Sequence, residues 1–530
     1  MTNWYTKAIF YELYPRAFAD GNGDGWGDFI GLRQRLDYLE WLGVDCIWMT
    51  PVYPSPLRDD GYDVSSYYGI DPKYGLMEDF KLTVDEIHRR GMKIIMDLVV
   101  NHTSDLHPWF VEARRSKDSP LRDYYVWTHD PEKYKETRII FLDTEESNWA
   151  YDELSGEYYW HRFYSSQPDL NYDNPKVHEE MLNILDFWLK FGIDGFRVDA
   201  VPYLYEREGT NCENLPETHD FIRKMRQFVD ENYPGTLLLA EANQWPQDLL
   251  PYFGNNDEFH VAFHFPLMPR LYMALAKGDR TDVVNILADT PPIPDGCQWA
   301  TFLRNHDELT LEMVTEEERQ FMWDYYAPDM RQRLNLGIRR RLAPLMDNDR
   351  RKIELMHSLL LTLPGAPVLY YGDEIGMGDN IALEDRNGVR TPMQWNDSIN
   401  GGFSVAPLEN LYAPPVSGPD YGYGTVNVLV QEITPNSLLH RVRQMIHARK
   451  ELDMLPRGAL QWLDHLPNTL LCFWREDENG KFLALHNLVE TEQTIELPTG
   501  YHFINVLDED SAVGESITLG AYGFYWLLVS

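Results

Sequence analysis

The chain has 530 residues, of which 44% are hydrophobic and 13% aromatic, enough for a large packed core and too many for intrinsic disorder. Its 84 acidic and 47 basic side chains give a formal net charge of −37, which disfavours nucleic acid and anionic membranes, because phosphate groups bind clustered cations. We therefore expect a small-molecule substrate, with no nucleic acid and no membrane as partner.

The four cysteines lie far apart and form no Cys-x-x-Cys pair. This spacing excludes a disulfide scaffold and a thiolate zinc site, and it suits a reducing compartment. The first residues show no basic segment followed by an apolar run, and no window reaches about 18 uninterrupted apolar residues. The sequence thus predicts a cytoplasmic protein without a secretory signal or a membrane-spanning helix.

Short apolar runs alternate with segments of helical period along most of the chain. The run KIIMDLVV is almost continuously apolar, as in a parallel strand covered on both faces. The predicted strands are residues 8–15, 45–50, 93–100, 194–199, 236–241, 259–265, 299–303 and 367–371, and the first predicted helices are 30–42, 79–90 and 179–191. Eight strand-then-helix units predict an α/β fold, a (β/α)8 TIM barrel, with reactive residues at the C-terminal strand ends.

Two long stretches interrupt this alternation. Residues 103–172 follow the third strand and are rich in Tyr, Trp, Asp and Pro, and the highly charged residues 309–348 follow the seventh. Surface decoration is one interpretation, but both stretches leave from the catalytic face. We interpret 103–172 as an inserted B subdomain and 309–348 as a lid insertion within a barrel formed by residues 1–102 and 173–452.

From about residue 453 the pattern changes to alternating strands. The predicted strands 469–474 and 482–488 flank Glu478-Asn479-Gly480, which is typical of a hairpin turn, and the last predicted strand is 524–529. Residues 453–530 are therefore predicted to form a separate antiparallel β-sandwich domain without chemistry of its own.

Polar residues stand at the ends of four predicted strands. Asp199 ends GFRVD, Glu241 stands in LAEAN, Asp307 stands in RNHDE, and the third strand ends in DLVVNH. One acid at a strand end is usually a helix cap or an ion-pair partner. Four such segments, in this order on one barrel, predict side chains that act together.

These segments resemble the four signature segments of the α-amylase superfamily, glycoside hydrolase family 13, and the resemblance extends over essentially the whole chain. It implies that a glucosidic bond is cleaved with retention, which takes a carboxylate nucleophile and a carboxylic acid roughly 5–5.5 Å apart. By motif position Asp199 is the nucleophile and Glu241 the general acid and later the base. Asp307 is expected to bind the 2- and 3-hydroxyls of the sugar.

Further residues are expected to bind the substrate. Arg197 lies two residues before the nucleophile on the same strand face, where it can hold that carboxylate ionised. The resemblance implies that His102 and His306 donate hydrogen bonds to sugar hydroxyls. The segment QPDLN, which begins at Gln167, is similar to the marker of the oligo-1,6-glucosidase branch, and Gln167 is assigned to substrate binding.

The DDGYD loop is similar to a family loop in which an Asp binds the 4-hydroxyl of the terminal glucose and a Tyr stacks beneath its ring. We assign these roles to Asp59, in preference to Asp60, and to Tyr62. The segment RNGVRTPMQW resembles the one that closes this pocket, with Arg390 paired to Asp59. A charged wall beyond the terminal glucose favours small sugars over starch.

Ala200 stands after the nucleophile, where α-1,6-specific members of the branch typically carry Val, so the resemblance favours an α-1,4-linked substrate such as maltose. Residues 201–216, EANQWP and NHDELT are similar to the trehalose synthases of this branch, which isomerise maltose to trehalose, the α,α-1,1 disaccharide. The departing glucose must then stay and turn over, and Asn243, Gln244 and Glu308 are candidates to hold it by position alone. The alternatives are an α-glucosidase acting on maltose or sucrose, and a non-catalytic relative, which the intact carboxylates disfavour.

The loop DGNGDGWGD places oxygen side chains at alternate positions, and its glycines permit a tight turn. This pattern predicts a Ca²⁺ site, and an Asp/Gly-rich turn without a metal is the alternative. The expected ligands are the side chains of Asp20, Asn22, Asp24 and Asp28 and the carbonyl of Trp26.

Resemblance to the trehalose synthases implies a second site that ties the subdomain to the barrel. Its expected ligands are the side chains of Asn101, Asp169 and Glu206 and the carbonyls of Tyr203 and Leu204. Both sites are expected to be structural, with Mg²⁺ as the alternative occupant. We further expect a homo-oligomer, and a maltose kinase is a conceivable partner that no residue pattern indicates.

Overall fold

Eight parallel strands close into a barrel in a computed structural model that describes residues 3–508 and 513–530. They are β1 Phe10–Leu13, β2 Cys46–Met49, β3 Lys93–Val99, β4 Gly195–Asp199, β5 Leu237–Ala240, β6 Val261–Phe263, β7 Gln298–Phe302 and β8 Ala366–Tyr370. Each strand pairs with its neighbours in chain order, and β8 pairs with β1. The barrel predicted from the sequence is confirmed, with every strand within two residues of its predicted bounds.

Helices surround the strands. They are Pro15–Phe18, Phe29–Gln34, Leu36–Leu42, Met77–Arg89, Pro175–Lys190, Pro216–Asn232, Pro246–Leu249, Leu267–Lys277, Thr281–Asp289, Leu342–Leu345, Arg350–Thr362, Val428–Ile433 and Leu438–Glu451. The predicted helix 30–42 is divided in two at Arg35, whose backbone leaves the helical region. The predicted helix 179–191 begins earlier, at Pro175, because the Asn174 side chain caps it and proline suits the first turn. No helix of the described residues is long and apolar enough to cross a membrane.

The strands β4 and β5, which carry two of the catalytic candidates, approach each other closely at Gly195. A Cβ atom at this position would lie 2.3 Å from the carbonyl oxygen of Leu237. Glycine therefore permits the contact that brings the ends of the two strands side by side.

Both insertions are folded and begin where a barrel strand ends. The segment after β3 holds the helix Pro108–Ala113 and a sheet of Trp127–Thr128, Trp149–Asp152 and Glu157–Trp160. The segment after β7 holds the helix Glu316–Tyr326 and a sheet of Leu309–Thr310, Arg333–Leu334 and Gly337–Ile338. Their positions put both insertions at the end of the barrel where the acidic residues lie.

The C-terminal strands form two antiparallel sheets. One contains Ala459–Trp462, Leu470–Asp477, Gly480–Asn487, Phe503–Asn505 and Phe524–Val529, and the other contains Gln493–Glu496 and Ser516–Leu519. In the predicted hairpin Asp477 pairs with Gly480, so that Glu478 and Asn479 form the turn. The indole of Trp526 donates to the hydroxyl of Ser358 at 2.8 Å, which fastens this domain to a barrel helix.

Candidate active site

One pocket at the C-terminal end of the barrel contains the three predicted catalytic carboxyls. Asp199, Glu241 and Asp307 line it together, after arriving from three different strands. Of the residues predicted to bind substrate, those that line the pocket are Asp59, Tyr62, His102 and His306. Aromatic side chains complete the wall, namely Phe141, Phe163, Tyr203 and Phe265.

Arg197 lies beneath this pocket and binds several carboxylates at once. Its side chain is 1% exposed; Nη1 lies 2.5 Å from Oδ1 of Asp199 and also pairs with Asp97, and Nη2 lies 2.6 Å from Oε1 of Glu241. A buried guanidinium with a planar fork holds carboxylates in fixed directions. It therefore holds the predicted nucleophile and the predicted acid on the same cation.

Ala200 makes a second link between these two carboxyl groups. Its backbone is in the left-handed region (φ 52°), which side-chain-bearing residues rarely adopt. In this conformation its N–H donates to Oε2 of Glu241 at 3.0 Å. The strained turn directly after Asp199 thus orients the carboxyl group of Glu241.

The three carboxyls have different acidities. Burial raises the pKa of Glu241 to about 8 and that of Asp199 to about 6, although Arg197 lowers both. Burial also acts on Asp307, but the positive charges of Arg386, Arg390 and Arg197 outweigh it and hold the pKa of Asp307 below its ordinary value. At neutral pH this order leaves Glu241 protonated and the other two ionised, which suits a general acid beside a nucleophile.

The predicted pairing of Arg390 with Asp59 is wrong. Arg386 pairs with Asp59 at 2.6 Å and with Asp307 at 2.9 Å, whereas Arg390 pairs with Asp60 and with Asp307. Asp60 is in the left-handed region (φ 52°), and the turn Asn387–Val389 separates the two arginines. Sequence reasoning therefore missed Arg386, which lines the pocket and is the first residue of the segment already singled out.

Gln167 lies behind the pocket wall. Its side chain is fully buried and donates from Nε2 to Oδ2 of Asp59 at 2.9 Å, while its Oε1 accepts the N–H of Tyr164. Its place in the structure is thus that of a residue which orients Asp59.

The two predicted histidines have different surroundings. Nε2 of His102 is buried and has no hydrogen-bond partner among the described residues, and burial lowers the pKa of His102 to about 3. A neutral imidazole with a free nitrogen can bind a sugar hydroxyl. His306 instead has both ring nitrogens engaged by the protein, Nδ1 by Glu12 and Nε2 by the Tyr62 hydroxyl at 2.7 Å.

The two insertions meet across the pocket. Arg138 of the first lies 3.0 Å from Glu312 of the second and 2.8 Å from Glu213. Asn335 of the second donates its N–H to Asp143 of the first at 2.7 Å. Because Glu312 and Asn335 also line the pocket, these contacts join the two insertions beside it.

Of the three candidates for holding the departing glucose, two line the pocket and one does not. Asn243 and Glu308 line the pocket, and Asn335 donates from Nδ2 to Oε1 of Glu308 at 3.1 Å. Gln244 lies outside the lining and donates to Glu213 at 3.4 Å.

The first predicted metal loop is held by its own backbone. Asp20 accepts the N–H groups of Asn22, Gly23 and Gly25, and Asp28 accepts that of Gly31 at the start of a helix. Within residues 3–508 and 513–530, no group of three or more His, Cys, Asp or Glu side chains is arranged to hold a metal ion. The calcium site in this loop therefore stays a prediction.

The second predicted set contains buried oxygens without partners. Oδ1 of Asn101, Oδ2 of Asp169 and Oε1 of Glu206 are all inaccessible to solvent and accept no hydrogen bond in the described part of the chain. Buried polar atoms are rarely left unpaired. Three oxygen donors of this kind fit a hard divalent cation.

Comparison with known proteins gives a consistent result. The family model "Alpha amylase, catalytic domain" matches residues 12–328 and 338–458. The chain is 54% identical to the trehalose synthase/amylase of Mycobacterium tuberculosis, over 99% of this chain and 90% of that protein, and 52% identical to the trehalose synthase of Pimelobacter sp., over 99% and 95%. The crystal structure of a trehalulose synthase from Pseudomonas mesoacidophila superposes with a TM-score of 0.81 at 27% identity, covering 99% of both chains.

The acidities predict a bell-shaped pH dependence of kcat/KM for α-glucoside cleavage. Activity should fall below the pKa of Asp199, about 6, as the nucleophile is protonated, and above that of Glu241, about 8, as the acid loses its proton. Initial rates from pH 4 to 10 measure both limbs.

The same series with Glu241→Ala and α-glucosyl fluoride is the control, because fluoride leaves without a proton. The alkaline limb should then disappear and the acid limb should stay. An alkaline limb that persists in this variant would show that Glu241 is not the acid.

Proposed function

Because the chain belongs to the α-amylase family, glycoside hydrolase family 13, we propose that it isomerises maltose to trehalose through a glucosyl-enzyme intermediate, with minor hydrolysis to glucose. The observation that carries isomerisation is the pair of contacts by which Arg138 and Asn335 join the two insertions beside the pocket. We call these contacts the cover. Similarity to trehalose synthases over 99% of the chain supports the same reaction.

Maltose fits the pocket as a substrate with one glucose on each side of the catalytic pair. Asp59 and Arg386 form a charged wall at one end, so the pocket accepts a terminal glucose and stops a longer chain. Ala200, Tyr203 and Phe265 also line the pocket, and we assign them to the second ring. Aromatic faces suit the apolar faces of sugar rings, which explains a small disaccharide as substrate.

In the first step Asp199 attacks the anomeric carbon of the terminal glucose. The bond between the anomeric carbon and the glycosidic oxygen breaks, and Glu241 donates its proton to that oxygen. Asp307, which Arg386 and Arg390 hold ionised, binds the ring hydroxyls as positive charge develops. The products are a glucosyl ester on Asp199 and a glucose molecule retained by the cover.

In the second step the retained glucose turns and presents its anomeric hydroxyl. Glu241, now a carboxylate, takes the proton of that hydroxyl as the oxygen attacks the glucosyl carbon, and Asp199 leaves. Two inversions retain the α configuration at the glucosyl carbon, and the attacking hydroxyl is that of the α anomer of glucose, so the new bond is α,α-1,1. Water in place of the glucose would give hydrolysis, so the outcome depends on how well the cover excludes it.

Hydrolysis of maltose or sucrose as an α-glucosidase is the second candidate. The same carboxyls perform it, and the cover is the feature that favours isomerisation. The homo-oligomer, the maltose kinase partner and the cytoplasmic location stay predictions.

We also propose a structural Ca²⁺, with Mg²⁺ as the alternative, at Asn101, Asp169 and Glu206. Their unpartnered buried oxygens support it, together with the carbonyls of Tyr203 and Leu204 as further ligands. A cation there would link the end of β3 to the inserted subdomain and to the segment after the nucleophile, and it would take no part in bond cleavage. We propose a further Ca²⁺ site in the loop from Asp20 to Asp28, because all of its expected ligands are oxygen atoms.

Proton NMR of purified protein with maltose tests the proposed reaction. The anomeric signal of trehalose should grow towards an equilibrium with maltose while free glucose stays a minor product. Glucose that accumulates stoichiometrically without trehalose would contradict isomerisation and indicate an α-glucosidase.

Opening the cover should shift the products towards glucose. Arg138→Ala removes the contacts with Glu312 and Glu213, so water should reach the glucosyl ester and the glucose-to-trehalose ratio should rise severalfold. NMR of the product mixture measures the ratio. Arg115→Ala is the matched control, because Arg115 is an exposed arginine of the same subdomain that pairs with Glu112; an equal ratio in both variants would refute the role of the cover.

Removing the metal should destabilise the protein. A ligand at 100 times its Kd stabilises by about 2.7 kcal/mol, so EDTA should lower the Tm and added Ca²⁺ should restore it. Glu206→Gln should abolish most of this Ca²⁺-dependent shift, and the exposed Glu208→Gln should keep it. Identical shifts in both variants would place the responsible ion elsewhere.

A further inference from the structure

Glu12 is a buried carboxyl group that the steps above do not use. It is the third residue of β1, is 0% exposed, and reaches the pocket end of the barrel. Within residues 3–508 and 513–530, His306 is the one basic side chain within 4.0 Å of its carboxylate. Because burying a carboxyl group is costly unless it is hydrogen-bonded, this partner indicates what Glu12 contributes.

Glu12 binds His306 through two of its donors. Oε1 of Glu12 contacts Nδ1 of the imidazole and accepts the backbone N–H of His306 at 3.2 Å. An oxygen that already accepts one N–H favours a proton on Nδ1 as well. Nε2 then carries the lone pair, since a neutral imidazole has one protonated nitrogen.

The second nitrogen extends this contact to the sugar-binding residues. Nε2 lies 2.7 Å from the hydroxyl of Tyr62 and 3.4 Å from Oδ2 of Asp307. The rings of Tyr62 and His306 are nearly parallel, 7° apart, with centroids 5.3 Å apart. With the proton on Nδ1, Nε2 accepts the Tyr62 O–H and leaves Asp307 free to accept hydrogen bonds from the sugar.

The other tautomer would have the opposite effect. An N–H at Nε2 could no longer accept from Tyr62, and it would donate to Asp307 in competition with a sugar hydroxyl. Burial lowers the pKa of His306, so its imidazole is neutral and carries a proton on one nitrogen only. Burial also raises the pKa of Glu12; a proton taken up there has its place on Oε2, which has no partner among the described residues, so that Oε1 stays the acceptor. The tautomer of His306 therefore determines the hydrogen bonding of Tyr62 and Asp307, two residues that line the pocket.

We propose that Glu12 is a positioning residue for the reaction, which fixes the Nδ1–H tautomer of His306 and through it the Tyr62 hydroxyl and Asp307. This inference rests on the proposed function and deepens it. Glu12 itself touches no substrate, so its effect on turnover passes through His306.

Two substitutions separate the tautomer from the bulk of the side chain. Glu12→Gln keeps an oxygen that accepts both N–H groups, whereas Glu12→Met has a similar shape and no such acceptor. Glu374→Met is the matched control: Glu374 is also 0% exposed and accepts the hydroxyls of Tyr11 and Tyr38 at 2.8 and 2.7 Å, outside the pocket lining.

The kinetic constants for maltose consumption and the Tm of all three variants provide the test. Glu12→Met should lower kcat about 100-fold with a smaller change in KM, because Asp307 acts mainly in the transition state. Glu12→Gln should recover most of that kcat. Glu374→Met should lower the Tm comparably and leave kcat unchanged.

Two results would overturn the proposal: a kcat for Glu12→Met no lower than for Glu374→Met, or a kcat for Glu12→Gln as low as for Glu12→Met.

If Glu12→Met does not fold, Tyr62→Phe takes its place. Its kcat should also fall, and a full kcat would overturn the proposal. Parallel assays with an aryl α-glucoside keep the variants comparable if the wild-type chain makes no trehalose, a failure that would count against the proposed function alone.

Discussion

A single buried cation organises the catalytic centre. Arg197 pairs with Asp97, Asp199 and Glu241, which come from three adjacent barrel strands. Three carboxyl groups this close would repel one another and take up protons without that cation. Because one guanidinium binds them together, Asp199 stays ionised at neutral pH while burial keeps Glu241 protonated, as their proposed roles of nucleophile and acid require.

Around this centre, ion pairs with arginines fix the orientation of the acidic side chains. Asp307 faces Arg386 and Arg390, Asp59 faces Arg386, and Asp60 faces Arg390. Buried ion pairs add little net stability, because desolvation offsets most of the attraction. Their contribution here is orientation, because each carboxylate is held in a fixed direction before a substrate binds.

In the proposed reaction the two insertions influence whether the glucosyl group is transferred to glucose or to water. The carboxyl pair alone would serve either reaction. Contacts from Arg138 and Asn335 join one insertion to the other beside the pocket. In the proposed reaction the outcome therefore depends on residues that make no bond with the reacting carbon.

The sequence by itself determined the barrel and the three carboxyls, because apolar periodicity is local and the C-terminal ends of parallel strands must meet at one end of a barrel. Asp199, Glu241 and Asp307 could therefore be placed together without coordinates. Only the tertiary structure decided the contact of Arg386 with Asp59, 327 residues apart, and that of Glu12 with His306, 294 residues apart. Such pairs depend on left-handed backbone at Asp60, on turns and on side-chain directions that no local pattern records, so the partners of a catalytic residue became visible only when the chain was folded.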